Sequence, residues 1–194
     1  MSRFRQAISE GDGISVIPML VGDVEALAAL AEEAGAEAVA VASDDVARAC
    51  AATALPVLAQ NADLEAAAAA GADACVLRSD DGLPEQHERA RELGLDCVVD
   101  VRDEEALQEV LEHVDPDIVL LSEHELEDDE EDFERTLDLL ADVPAGKLVI
   151  TDARVIAREQ VVALERAGVD AILVSGELLR PDFAATLAEL TGRA

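Results

Sequence analysis

A chain of 194 residues with 44 acids against 14 bases carries a formal charge of −30, which repels nucleic acid and anionic membrane surfaces alike. Half of it is hydrophobic, yet it has three Phe and no Trp or Tyr, so its core must be built of Ala, Val and Leu. The length suits one sizeable core, hence a single domain over 1–194, and no apolar run approaches the roughly 20 residues of a membrane-spanning helix.

Apolar periodicity and punctuation predict the following elements in chain order. A first strand at 14–20 runs into Val21-Gly22-Asp23, and Asp23 caps a helix at 24–34. The second strand is 38–42, after which Ser43-Asp44-Asp45 opens a helix ending near 54. The third strand, 56–59, leads into Gln60-Asn61, and the alanine run 64–70 is a thin helix, since Ala is the best helix former. The fourth strand is 75–77, with a helix over 84–93. The fifth is 96–101, with Asp103-Glu104-Glu105 opening the next helix. A sixth strand at 118–121 is followed by an acidic excursion at 123–132 and a helix at 133–140. The seventh strand is 147–150, with a helix at 157–167, and the eighth is 171–174, with a last helix at 183–190.

One phrase recurs through this chain: a helix closed by Gly, then an acid, then a buried strand. It is seen in Gly35-Ala36-Glu37-Ala38, Gly71-Ala72-Asp73-Ala74, Gly94-Leu95-Asp96-Cys97 and Gly168-Val169-Asp170-Ala171. Strands alternating with helices give an open doubly wound sheet or a closed barrel. A count of eight, in this repeated register, favours a compact α/β fold of the (βα)8 TIM-barrel type, and a site at the C-terminal ends of its strands.

Those ends carry the candidate residues. Asp100 interrupts the apolar run Cys97-Val98-Val99 and Val101, and a carboxylate there must be paired or face a cavity. Arg78 and Arg102 are its candidate partners. Asp100 and Asp152 are the candidate acid/base groups, with a structural ion pair and a helix cap as their respective alternatives. Arg78, Gln60 and Ser122 are candidates for substrate contact. Arg154, Ser175 and Gly176 are candidates for holding phosphate, because the loops after strands 7 and 8 are the barrel's habitual phosphate site. A short helix is expected after Ser175-Gly176.

The acidic excursion lacks the spaced pattern of a calcium loop and reads as a solvated charge run. His87, His113 and His124 are scattered, so no metal site and no cofactor are expected. Cys50, Cys75 and Cys97 lie in apolar runs without CxxC spacing, as buried reduced thiols of a cytoplasmic protein would. The opening Met1-Ser2-Arg3-Phe4-Arg5-Gln6 does not read as a signal peptide.

From the fourth strand onward the chain resembles the indole-3-glycerol-phosphate synthase family of tryptophan biosynthesis. The resemblance is carried by Ala70-Gly71-Ala72-Asp73-Ala74, by Arg91-Glu92-Leu93-Gly94-Leu95-Asp96-Cys97-Val98-Val99-Asp100-Val101-Arg102-Asp103-Glu104-Glu105, and by Phe133-Glu134-Arg135-Thr136-Leu137. Arg166-Ala167-Gly168-Val169-Asp170-Ala171-Ile172-Leu173-Val174 and Leu178-Leu179-Arg180 complete it, and Leu55-Pro56-Val57-Leu58 is similar to the family's third strand. It implies a bare TIM barrel without the family's additional N-terminal helical segment.

The family's site signatures are replaced. Where the resemblance implies Glu-x-Lys at the first strand end stands Met19-Leu20-Val21-Gly22-Asp23, and the Lys-Asp of the third strand is Gln60-Asn61. The fifth-strand Glu is Asp100. The sixth-, seventh- and eighth-strand signatures are Ser122-Glu123-His124, Thr151-Asp152-Ala153-Arg154 and Ser175-Gly176-Glu177. Lys147 is the only lysine in the chain, so the proton donor implied for ring closure is missing.

Three readings follow. The first is a diverged paralogue that has lost the parent lyase activity and binds a small phosphorylated ligand or a protein partner. The second is an enzyme on a small phosphorylated metabolite using Asp100 and Asp152. The third is an engineered or minimised barrel.

Abundant acid with a single lysine also fits a protein adapted to concentrated salt, where cations screen the self-repulsion. On this reading the melting midpoint falls sharply between molar and low-millimolar KCl. Equal midpoints by circular dichroism would reject it.

Overall fold

The structure is a computed structural model that describes residues 2–10, 13–80, 82–122, 129–152, 154–155, 157–180 and 182–193, with the backbone alone over 129–134. Eight parallel strands alternate with helices: β1 (Ser15–Pro18), β2 (Val39–Ala42), β3 (Val57–Gln60), β4 (Ala74–Arg78), β5 (Asp96–Val101), β6 (Ile118–Leu121), β7 (Leu148–Thr151) and β8 (Ala171–Val174). They pair in the order β1-β8-β7-β6-β5-β4-β3-β2. A parallel bridge between Met19 and Ala40, with the Leu20 N–H donating to the Ala40 carbonyl at 2.8 Å, joins the two ends. The result is a single (βα)8 TIM barrel.

The helices start where the sequence places aspartates. Asp23, Asp63, Asp103 and Asp182 each accept a bond from the backbone N–H three residues on, at 2.8–3.3 Å. These caps open α2 (Val24–Ala34), α4 (Leu64–Ala70), α6 (Glu104–His113) and α9 (Phe183–Thr191). Each is worth about 1 kcal/mol. The remaining helices are α3 (Val46–Ala52), α5 (Leu83–Glu92), α7 (Asp129–Leu140) and α8 (Arg158–Ala167). Residues 43–45 form a separate turn of 3-10 helix before α3. α7 begins four residues earlier than its apolar pattern indicates, and its extra first turn is acidic, as a helix N-terminus favours.

The recurring acids have a structural task at the N-terminal end of the barrel. Glu37 accepts from the Val16 N–H at 2.9 Å, Asp73 from the Val57 N–H at 2.9 Å and Asp170 from the Val149 N–H at 2.7 Å. The acid leading into one strand thus holds the preceding strand. Burial pushes the Glu37 and Asp170 carboxyls above their ordinary range, and the backbone N–H each receives offsets part of that cost. Gly168, at φ +106°, shows why Gly comes first: it ends α8 left-handed and delivers Asp170 to that position.

Asp96 instead accepts from the Arg5 N–H at 3.0 Å and from the Ser2 hydroxyl. It anchors a helix that periodicity did not reveal, α1 (Arg3–Ser9). Phe4 and Ile8 of α1 join Ile17, Ala40, Leu58, Val98, Ile118, Ile150 and Ala171 in one buried cluster, the barrel interior. Alternate residues such as Val16, Val41, Val57 and Ile172 pack outward against helices. An interior lined with alanines (Ala38, Ala40, Ala74, Ala171) leaves room that the Phe4 ring fills. Cys75 and Cys97 are buried as expected, but Cys50 is only half-buried.

Two predictions follow from this end of the barrel. Phe4→Ala empties the plug and costs about 3–5 kcal/mol in urea unfolding; a loss below 1 kcal/mol would show that α1 does not close the barrel. Burial pushes the Glu37 carboxyl above its ordinary range, with the Val16 N–H and Arg193 pulling the other way. Its stabilising share is therefore full below the ordinary glutamate value and lost as pH rises through the raised one. Gln keeps the acceptor for Val16 and removes that loss, so the melting midpoint of Glu37→Gln gains on the wild type as pH rises above the ordinary glutamate value. A midpoint difference independent of pH would contradict it.

Candidate functional site

Side chains in a strand alternate between faces, so the interior residues fix which side chain faces inward at each strand's C-terminal end. Two residues beyond Leu58, Val76, Val98, Leu120, Ile150 and Leu173 stand Gln60, Arg78, Asp100, Ser122, Asp152 and Ser175. Met19 and Ala42 complete the ring on β1 and β2. Six of the eight candidates read from the sequence therefore share one register around the barrel mouth. Backbone bonds extend the ladder to hold these positions: Ser122 N–H donates to the Val101 carbonyl at 3.1 Å, Asp152 N–H to Leu121 at 3.3 Å and Met19 N–H to Val174 at 2.8 Å.

Asp100 is the best-defined group. It is 6% exposed, and its Oδ1 accepts from the buried Ser122 hydroxyl. Arg102 Nη2 lies 3.7 Å from Oδ2. These contacts offset the cost of burying a carboxylate, which is several kcal/mol when the group is unpaired. Arg78 is the direct register partner of Asp100 across β4 and β5, but its guanidinium turns to Asn61, donating to Oδ1 at 3.3 Å. Asn61 sits at φ +50°, a left-handed conformation that Asn tolerates. Sequence reasoning placed Asn61 at the strand end without giving it this role. Its short polar side chain after an inward Gln60 was the available signal.

Arg78, Asp100 and Arg102, with Ser79, Asp80, Asp103 and Ala106, line a cleft of about 330 Å³ between the ends of β4 and β5. Two guanidiniums, a hydroxyl and three carboxylates, that of Asp100 buried, present charges of both signs here to a polar ligand. Gln60 and Asp152 are half-buried, and Arg154 is exposed beyond β7. Glu123 and His124 lie outside the described residues.

After β8 the chain makes turns over 176–179 rather than a short helix. Leu178 N–H donates to the Ser175 carbonyl at 3.0 Å and Arg180 N–H to Glu177 at 3.3 Å. Glu177 N–H donates to Ser175 Oγ at 3.4 Å. Among the described residues no helix opens within 175–180, which leaves the backbone turn itself. Gly176 is required by packing, since a Cβ would stand 2.5 Å from the Met19 carbonyl oxygen. This close approach ties the end of β8 to that of β1.

Comparison with known proteins agrees with this architecture. A family profile described as indole-3-glycerol phosphate synthase matches residues 21–190. The indole-3-glycerol phosphate synthase of a Geobacillus species is 27% identical over 176 residues, covering 81% of this chain and 68% of that protein. That of Variovorax paradoxus is 34% identical over 116 residues, 58% of this chain and 43% of that protein. Among solved structures, a mutant tryptophan synthase alpha-subunit from Pyrococcus furiosus superposes with a TM-score of 0.71 at 20% identity, covering 92% of this chain and 98% of that one. A thiamine phosphate pyrophosphorylase from the same organism gives 0.67 at 16%, covering 93% and 95%. Likeness at such identities speaks for the fold alone. The profile match, spanning nearly every strand and the mouth ring they carry, places the chain: it belongs to the indole-3-glycerol phosphate synthase family.

Proposed function

We propose that this family member holds a small phosphorylated ligand in the barrel mouth without performing the parent ring closure, as a non-catalytic binding or assembly paralogue. The observation that supports this is the absence of an amine from the inward ring. The single lysine of the chain, Lys147, lies at the other end of the barrel just before β7, its Nζ 2.5 Å from Asp115. The candidate cations near the mouth, Arg78, Arg102 and Arg154, are guanidiniums, a group suited to holding anions and poorly suited to donating protons. Ring closure with loss of carbon dioxide and water needs a donor that gives its proton up. The arginines can still hold a phosphate or carboxylate, with the Ser175-Gly176 turn supplying backbone N–H groups.

The buried Asp100 favours a second reading, an enzyme acting on a small phosphorylated metabolite with Asp100 and Asp152 as acid and base and Arg154, Ser175 and Gly176 on the phosphate. A carboxylate kept out of water and held by Ser122 is what acid–base work requires, and also what a structural ion pair looks like.

One set of measurements separates these. With the parent family's phosphorylated substrate, the purified protein forms no indole product, while inorganic phosphate and that substrate raise the thermal midpoint. A ligand at 100 times its Kd contributes about 2.7 kcal/mol, and Arg154→Ala abolishes the shift. Indole formation would overturn the reading. Turnover of another phosphorylated metabolite, lost in Asp100→Asn, would install the second one.

A further inference from the structure

Two thiols face each other on the outer side of the sheet. Cys75 on β4 and Cys97 on β5 are direct register partners, 1% and 7% exposed under the helices that cover this part of the barrel. Neighbouring strands run about 4.8 Å apart, within the Cα separation of about 4.4–6.8 Å that a disulfide spans. Interaction with its neighbour holds the Cys97 thiol below the usual range, and the same interaction together with burial drives the Cys75 thiol above it. The two thiols are thus cross-strand neighbours and chemically unequal, Cys97 the better nucleophile and Cys75 the one that keeps its proton.

They also differ in access. Cys97, unlike Cys75, lines a cleft of about 330 Å³ at the N-terminal end of the barrel, with His87, Arg91, Asp96, Asp115 and Asp117 on the other walls. Its sulfur lies 3.7 Å from the His87 carbonyl oxygen. The cleft opens on the side of the barrel opposite the mouth, so this site is independent of the function proposed above. Cys50 serves as an internal control. It is half-buried, is bonded to the Gly71 carbonyl at 3.2 Å, and has its thiol pushed up by burial.

We propose that Cys75 and Cys97 form a peroxide-reactive dithiol, in which a small hydroperoxide entering the cleft is reduced and the pair closes to an intrachain disulfide. The Cys97 sulfur, its proton released, attacks the nearer peroxide oxygen. The O–O bond breaks, and the departing oxygen takes up a proton to leave as water or an alcohol. Cys97 is then a sulfenic acid. The Cys75 sulfur attacks it, the S–O bond breaks, and hydroxide leaves with the Cys75 proton as water. Two thiols lose two electrons in all and the hydroperoxide gains them.

The test uses the full chain, reduced and then treated with hydrogen peroxide, with thiol counting, intact mass and peptide mapping as readouts. Two of the three thiols disappear, the mass falls by about 2 Da as a disulfide forms, the mapped link joins Cys75 to Cys97, and dithiothreitol reverses it. In Cys75→Ser the reaction stops at a sulfenic acid on Cys97 that dimedone traps. The wild-type map stands by itself if that variant does not fold. Survival of all three thiols, oxidation at Cys50 alone, or over-oxidation of Cys97 with Cys75 still reduced would overturn the proposal.

Discussion

A β-strand sends successive side chains to opposite faces, and in a closed barrel those faces are an interior and a helix-covered exterior. Once Leu58, Val76, Val98, Leu120, Ile150 and Leu173 point inward, Gln60, Arg78, Asp100, Ser122, Asp152 and Ser175 follow them to the mouth. By the same alternation, the odd-numbered Cys75 and Cys97 are sent outward into the helix layer. A one-residue slip of β5 against β4 would place Asp100 among hydrophobic helices and the Cys97 thiol in the barrel interior. The short β4–β5 ladder, with Arg78 opposite Asp100 and Cys75 opposite Cys97, therefore carries both the polar cleft and the thiol pair.

Composition shapes how this barrel is filled. With alanine at several inward positions, the interior could not pack on strand residues alone, and α1 supplies Phe4 and Ile8 from outside the repeat. The exterior is as economical with cations. Arg48 joins Glu25 of α2 to Asp45 before α3, and Arg89 joins Glu65 of α4 to Glu92 of α5. Each guanidinium serves two acids, and the bonded arginines hold Glu25 and Glu65 below the ordinary carboxylate range. These pairs are exposed, so their worth is in placing scarce positive charge between like charges rather than in large individual energies.

Much of this is legible in the sequence alone. β5, β6 and β8 fall on the residues their apolar runs mark, because an acid or Pro-Asp stops each run sharply. α2 and α4 do so too, since Asp opens and Gly closes them. Asp100 declared itself as the one charge inside an apolar run. What stayed hidden depended on partners distant in sequence. α1 is only seven residues long and buries two of them, too few for a periodic signal, and its place under the barrel rests on Asp96, some ninety residues away. Ser122 was read as a substrate contact, yet its hydroxyl is bonded to Asp100, 22 residues earlier. The Gly-acid-strand phrase was visible four times, but not that three of its acids reach back to the neighbouring strand.

Those three bonds have a pattern of their own. Glu37 ties the approach to β2 onto β1, Asp73 ties that to β4 onto β3, and Asp170 ties that to β8 onto β7. The acid before β6, Asp117, is paired with Arg5 instead. The barrel is thus clasped in two-stranded modules at β1–β2, β3–β4 and β7–β8, and the seams between modules rest on sheet pairing and helix packing instead. Opening the backbone in the loops that follow α3, α5 or α7 would leave every clasp within one piece of chain, whereas a cut inside a clasped module would divide it. The architecture therefore marks the seams at which a permuted or split version of this barrel could be rejoined, and they recur every second strand.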